Sequence, residues 1–216
     1  MLLLIAAALV KRRHFRLRIA APDDSAERIL MSNFKTRVEK IDPALLRFDK
    51  LQTLQINIGN RCNLHCRHCH VNAGSDGKKI MSRDVIERIC FFIRKHKDLC
   101  LDITGGSPEM NPHFRYLVEK ARPIAEKIMV RTNLTVFFEP GMNYIPVFYK
   151  DNKIVVIASL PCYQKNNVEV QRGCNVFQKS IDAIKLLNRL GYAKKPELEL
   201  DLVYNPLGDF LPAPQE

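Results

Sequence analysis

The sequence has no apolar run long enough to cross a membrane. The stretch MLLLIAAALV at residues 1–10 falls short of the about 20 residues that a spanning helix needs. No charge precedes that stretch; the basic cluster Lys11-Arg12-Arg13 follows it. No A-x-A-like cleavage site comes after it, which argues against a secretory leader. Internal repeats and low-complexity segments are absent, which excludes solenoids and arrays. The net charge is +11, yet no dense basic stripe exists: residues 1–50 carry 11 Lys/Arg against 6 Asp/Glu, and the rest 23 against 17. Basic blocks interleaved with aromatics are also missing, which counts against nucleic acid as the partner. An even cysteine framework is missing too. Seven cysteines, three of them within eight residues, favour a metal site in a reducing compartment over disulfides.

The composition, 46% apolar and 26% charged, is that of an ordinary soluble domain. A cytoplasmic location is expected. Residues 1–30 read best as an upstream extension, with Met31 a plausible internal start. A weak organelle-targeting segment and a short membrane-surface anchor are the alternatives.

Strand and helix signals alternate along the chain. Leu54, Ile56 and Ile58 alternate with polar residues and predict a first strand. Ser82 is positioned to cap a helix with apolar residues at Val85, Ile86, Ile89, Cys90, Phe92 and Ile93. Leu101 to Thr104 predicts a second strand, stopped by Gly105-Gly106. A helix is expected from Asn111 to Arg122, with Pro112 in its first turn. Ile128 to Val130 predicts a third strand, and 134–152 is ambiguous between breakers. Ile154 to Leu160 reads as a strand covered on both faces. Phe177, Ile181, Ile184 and Leu187 mark a helix that Gly191 can end. Leu198, Leu200 and Leu202 predict a fifth strand. Such alternation implies βαβ units and a parallel α/β sheet.

Cys62-Asn63-Leu64-His65-Cys66-Arg67-His68-Cys69 is a C-x3-C-x2-C loop after the first strand. Three thiolates on one short loop can ligate three irons of a [4Fe–4S] cube and leave the fourth iron open. The same residues also contain a C-x-x-C-H haem-attachment match, which leaves Cys62 unused. With His65, His68 or His70 they could instead form a Cys3His zinc site.

The loop resembles that of the radical-SAM superfamily. The resemblance implies a partial (β/α) barrel, TIM-like, of about five units here, with a last unit and a C-terminal region missing. It implies metal ligands Cys62, Cys66 and Cys69. It implies S-adenosylmethionine (SAM) as second cofactor, cleaved to a 5′-deoxyadenosyl radical, and an external one-electron donor such as a flavodoxin or ferredoxin. His68 would lie near the adenine. Thr104-Gly105-Gly106-Ser107-Pro108-Glu109 stands where the family has G-G-E-P, so Gly105, Gly106, Ser107 and Glu109 would face the SAM amino group. Glu109 stands two positions late, which favours the backbone carbonyls for that contact.

The runs LQINIG, CNLHCRHCHVNAG, TGGSPEMNPHFRYLV, RTNLTVF, ASLPCYQKNNVEVQRGCNVFQKSI and LDLVYNPLGDFLP are similar to the arsenosugar-biosynthesis radical-SAM (ArsS) family. By that likeness Arg131, Asn133 and Ser159 would line the ribose and carboxylate of SAM, and a small methylated arsenic compound would receive an adenosyl group. A non-catalytic iron–sulfur or zinc module, or a radical-SAM protein acting on another small molecule or RNA, are the competing expectations.

Among the remaining candidates, Cys162 follows the fourth strand and could bind arsenic through its thiolate. Cys174 is expected to begin a helix, Cys90 and Cys100 to pack, and Arg172 to offer a guanidinium for an oxyanion. The expected organisation is an extension at 1–50, the barrel at 51–205 and a Pro-rich tail at 206–216.

Overall fold

The computed structural model describes residues 34–47, 50–96 and 98–205. The apolar N-terminus, Met31 and the Pro-rich tail lie outside the described residues. The chain divides into two compact units, one of them Ala8–Leu51. Within that unit, residues 34–41 are helical and Pro43–Leu46 form a 3-10 turn. Asp42 caps the turn by accepting the Ala44 N–H at 2.8 Å.

The larger unit carries five strands: β1 (Thr53–Asn57), β2 (Cys100–Thr104), β3 (Ile128–Thr132), β4 (Val155–Ser159) and β5 (Leu200–Val203). All neighbours are parallel, and their spatial order is their order in the chain. Sequential parallel order is that of a (β/α) barrel; a doubly wound sheet reverses direction at a switch point. The connecting helices are α1 (Arg83–Lys95), α2 (Phe114–Ala121), α3 (Ile145–Asp151), α4 (Lys165–Arg172) and α5 (Val176–Leu190).

Alternation along the strands separates two faces. Ile56, Ile103, Val130, Val156 and Leu200 stand in register across the sheet, and the first four are buried. The helices bury Ile86, Ile89 and Ile93 on α1, Leu117 and Val118 on α2, and Ala183 and Leu187 on α5. Each fully buried Ile or Leu stabilises the fold by about 2 kcal/mol. Gln55, Asp102 and Arg131 stand on the opposite, polar face and are hydrogen-bonded to one another through Asp102. On β5, Leu202 is 53% exposed, because no helix after β5 covers it among the described residues.

Three expectations change. Ser82 stands at the N-cap of α1 but makes no side-chain cap bond. The helix expected from Asn111 begins only at Phe114. The Asn111 side chain is occupied, donating to the Ile58 carbonyl at 2.7 Å and accepting the His113 N–H at 2.8 Å. The ambiguous stretch resolves into a 3-10 turn, Thr135–Phe138, and α3, which carries Pro146 in its first turn. Helix α4 had no signal in the sequence, since Val168 is the one buried apolar residue on it.

Candidate functional site

The cysteine loop leaves β1 and returns to it. Bridges at Gly59–Ile80 and Arg61–Gly74 close its base. Asn60 fastens it further, donating its N–H to the Lys79 carbonyl and accepting the Lys79 N–H on its side chain, each at 2.9 Å. Cys62 donates its N–H to the Gly74 carbonyl at 2.9 Å, and the Cys69 N–H reaches the Cys66 carbonyl at 3.1 Å. The sulfurs receive N–H groups. Leu64 N–H and the Asn133 amide point at Cys62 Sγ (3.4 and 3.5 Å), and Ala73 N–H at Cys69 Sγ (3.3 Å). Such donors suit sulfur that carries negative charge toward a metal. Burial pushes the Cys66 thiol up, and the Arg172 guanidinium pulls it the other way.

The Gly105-Gly106 pair is required by close packing. Gly105 has φ +151°, and a Cβ there would come within 2.7 Å of the Gly59 carbonyl oxygen. Gly106 N–H donates to that oxygen at 2.9 Å, and Ser107 N–H to the Arg61 carbonyl at 2.8 Å. The segment after β2 is thereby zipped against the root of the cysteine loop.

A buried polar cluster backs Cys62. The Asn133 amide donates to Ser107 Oγ at 2.8 Å and to Asn63 Oδ1 at 2.7 Å. Asn63 in turn donates to Thr135 and Glu139. Arg131 is held from below by Asp102, with Nε 3.0 Å from Oδ1 and Nη2 2.8 Å from Oδ2. Arg172 is 6% exposed and donates Nη1 to the Ser159 carbonyl.

One cavity of about 260 Å³ gathers most of these groups at the carboxyl ends of the five strands, where barrels place their sites. Cys62, Cys66, Cys69, His68, Gly105, Gly106, Arg131, Asn133 and Ser159 all line it. Arg172 lines it as well. The sequence named that guanidinium but could not tell it from a surface arginine. His68 is held below the usual histidine value by partial burial and by the Arg172 and His70 charges.

Four candidates stand elsewhere. Ser107 is buried behind Cys62 and acts through Asn133 and Asn63. Glu109 is 2% exposed and accepts the Tyr149 hydroxyl at 2.6 Å. Its displacement by two positions carries it under α3 and away from the cavity. Cys162 belongs to an apolar cluster with Leu160, Val168 and Val176, where burial answers for it. Cys174 is exposed and precedes α5 instead of beginning it.

All seven cysteines are free thiols. Among the described residues no three His, Cys, Asp or Glu side chains gather around a point where a single ion would sit. A lone zinc would need donors within about 2.3 Å of that point. Three thiols on one cavity wall, with N–H donors aimed at two of them, are a donor set that fits an iron–sulfur cluster with one iron left open. Among the described residues no helix is long and apolar enough to cross a membrane.

Comparison with known proteins follows the same lines. Residues 56–144 match the model of the Radical SAM superfamily. The chain is 24% identical over 149 residues to a probable GTP 3′,8-cyclase of Pyrococcus horikoshii, covering 66% of this chain and 44% of that protein. It is 24% identical over 133 residues to the antilisterial bacteriocin subtilosin biosynthesis protein AlbA of Bacillus subtilis, covering 61% of this chain and 29% of that one. The chain thus spans less than half the length of these curated relatives. Among solved structures it superposes on anSMEcpe with bound AdoMet at TM-score 0.57 (20% identity, 72% of this chain, 43% of that one). It superposes on Streptococcus suis SuiB bound to S-adenosylmethionine at 0.58 (18% identity, 86% and 40%). These likenesses show the fold. The family match, which covers residues 56–144, and the curated relatives agree in likening the chain to the radical SAM superfamily.

Proposed function

We propose that this chain carries the cluster- and SAM-binding part of a radical SAM enzyme. The observation that supports it most is the shared cavity: three thiols of one loop face the Gly-Gly turn after β2, Arg131 and Asn133 at the end of β3, and Ser159 at the end of β4. Cys62, Cys66 and Cys69 would hold a [4Fe–4S] cluster. When bound and reduced, the cluster supplies the electron that splits SAM into methionine and a 5′-deoxyadenosyl radical.

The chain's own residues bind and orient. The backbone carbonyls of Gly105 and Gly106 accept the SAM ammonium. Arg131, fixed by Asp102, and Asn133, fixed by Ser107 and Asn63, present donors to the carboxylate and ribose, with Ser159 beside them. His68 would lie near the adenine. An external one-electron donor loads the cluster, and a reducing compartment such as the cytoplasm suits seven free thiols.

The likeness of the runs in residues 51–212 to the ArsS family supports a methylated arsenic compound as the small-molecule substrate. A trivalent arsenic atom could capture a carbon radical, and loss of one proton and one electron from that adduct, the electron going to the oxidised cluster, would leave a pentavalent adenosyl arsenic compound. The test is mass spectrometry after anaerobic reconstitution with SAM, a one-electron reductant and a dimethylated trivalent arsenic compound. An adenosyl–arsenic adduct is expected. Formation of 5′-deoxyadenosine with no arsenic-containing product would rule out this substrate and leave the radical SAM reading standing.

A further inference from the structure

Arg172 is a cation fixed in place beside one of the three thiols. It is the last residue of α4, and its side chain is 6% exposed. Its Nη1 donates to the Ser159 carbonyl, while its buried Nε has no partner. The guanidinium and Cys66 line the same cavity. Among the described residues no carboxylate forms an ion pair with it.

Its position relative to Cys66 is set by backbone. The N–H of Arg67, the residue after Cys66, donates to the Gln171 carbonyl at 3.0 Å. The Gln171 side chain donates to the Asn205 carbonyl at 3.2 Å, and Asn205 N–H to the Pro161 carbonyl at 3.0 Å. The end of α4 is thus pinned to the cysteine loop and to the chain leaving β4 and β5.

A desolvated charge acts strongly on its neighbours, because little water screens it. Hydrogen bonds to ligand sulfur and local net charge are the main controls on iron–sulfur potentials. Resting on the radical SAM reading above, we infer that Arg172 is a positioning residue that raises the reduction potential of the Cys62/Cys66/Cys69 cluster. It stabilises the reduced form, which carries one more negative charge, and so sets how easily an outside donor can load the electron. The electron comes from that donor, and no bond forms or breaks at Arg172.

The experiment is a redox titration of the reconstituted full chain, followed by electron paramagnetic resonance. Wild type is compared with Arg172→Gln, Arg172→Met and Arg172→Lys. At a fixed solution potential the two neutral variants are expected to show a reduced-to-oxidised ratio about tenfold lower, a downward shift of about 59 mV for a one-electron couple. Arg172→Lys is expected to recover most of the shift. Arg67→Gln, which removes an exposed cation next to Cys66, should stay near wild type. Neutral variants that hold the cluster and titrate with wild type overturn the inference. Loss of iron from both neutral variants, with native circular dichroism, overturns the inference, since Arg172 would then hold the cluster and not tune it. Loss from all three overturns it as well. A wild-type chain that takes up no cluster overturns the radical SAM reading itself and the inference with it.

Discussion

Arg131 grips Asp102 through two nitrogens, with Nε 3.0 Å from Oδ1 and Nη2 2.8 Å from Oδ2. The two ends of the pair are unequal. The Asp102 side chain is 4% exposed and that of Arg131 41%. Removing the arginine therefore strands a buried carboxylate, whose remaining side-chain donor is Gln55 at 2.7 Å. Removing the carboxylate leaves an arginine that water can reach. Arg131→Met should cost about 3 kcal/mol of stability, against about 1 kcal/mol for Asp102→Asn. Urea unfolding of the two variants checks the order, and equal losses would contradict it.

Iron binding should separate the cysteines into two groups. Ala at Cys62, Cys66 or Cys69 is expected to abolish iron and sulfide retention after anaerobic reconstitution. Ala at Cys162 or Cys174 is expected to keep it, since neither thiol lines the cavity. Iron and sulfide assays on the five variants decide this. Retained iron in Cys66→Ala would refute the ligand assignment.

Stability should fall with rising pH through Glu109. Burial pushes its carboxyl above the ordinary value of 4.5, with donation from Thr132 and Tyr149 opposing. The folded chain therefore prefers the protonated acid. That contribution is fully present below the unfolded value and is lost as pH climbs through the raised one. Glu109→Gln removes the titration. Its stability relative to wild type should improve as pH rises above 4.5, read from urea midpoints. A difference that stays flat with pH would contradict the assignment.

The Gly105 position should tolerate no side chain. Its φ of +151° and the Gly59 oxygen 2.7 Å from any added Cβ make Gly105→Ala cost about 2 kcal/mol or more. The same change should loosen the zipper onto Gly59 and Arg61 and lower cluster occupancy. Thermal melts of the apo chain and iron content after reconstitution both report on it.

Much of this was legible in the sequence because strand periodicity and cysteine spacing are local signals. Ile56, Ile103 and Val130 announced their strands by alternation and run length, and the C-x3-C-x2-C spacing announced the loop. What was hidden depends on contacts between distant segments. Asp102 was read only as part of the second strand, and its pairing with Arg131 needs the register of β2 on β3. Arg172 could not be distinguished from a surface arginine, because α4 has a single buried apolar residue and so no helical period. Glu109 and Cys162 stood near the right strand ends, yet Glu109 turns under Tyr149 and Cys162 packs against Val168 and Val176. The packing of the glycine pair onto Gly59 and Arg61 was hidden too, since it needs the root of the cysteine loop to be in place.

The most direct measurement is 5′-deoxyadenosine formation by the anaerobically reconstituted chain, given SAM and a one-electron reductant and followed by liquid chromatography with mass detection. The expected result is 5′-deoxyadenosine and methionine in wild type and neither in Cys66→Ala. A wild-type chain that holds zinc instead of iron, or whose reduced cluster leaves both its spectrum and SAM unchanged, would contradict the radical SAM assignment of this cavity.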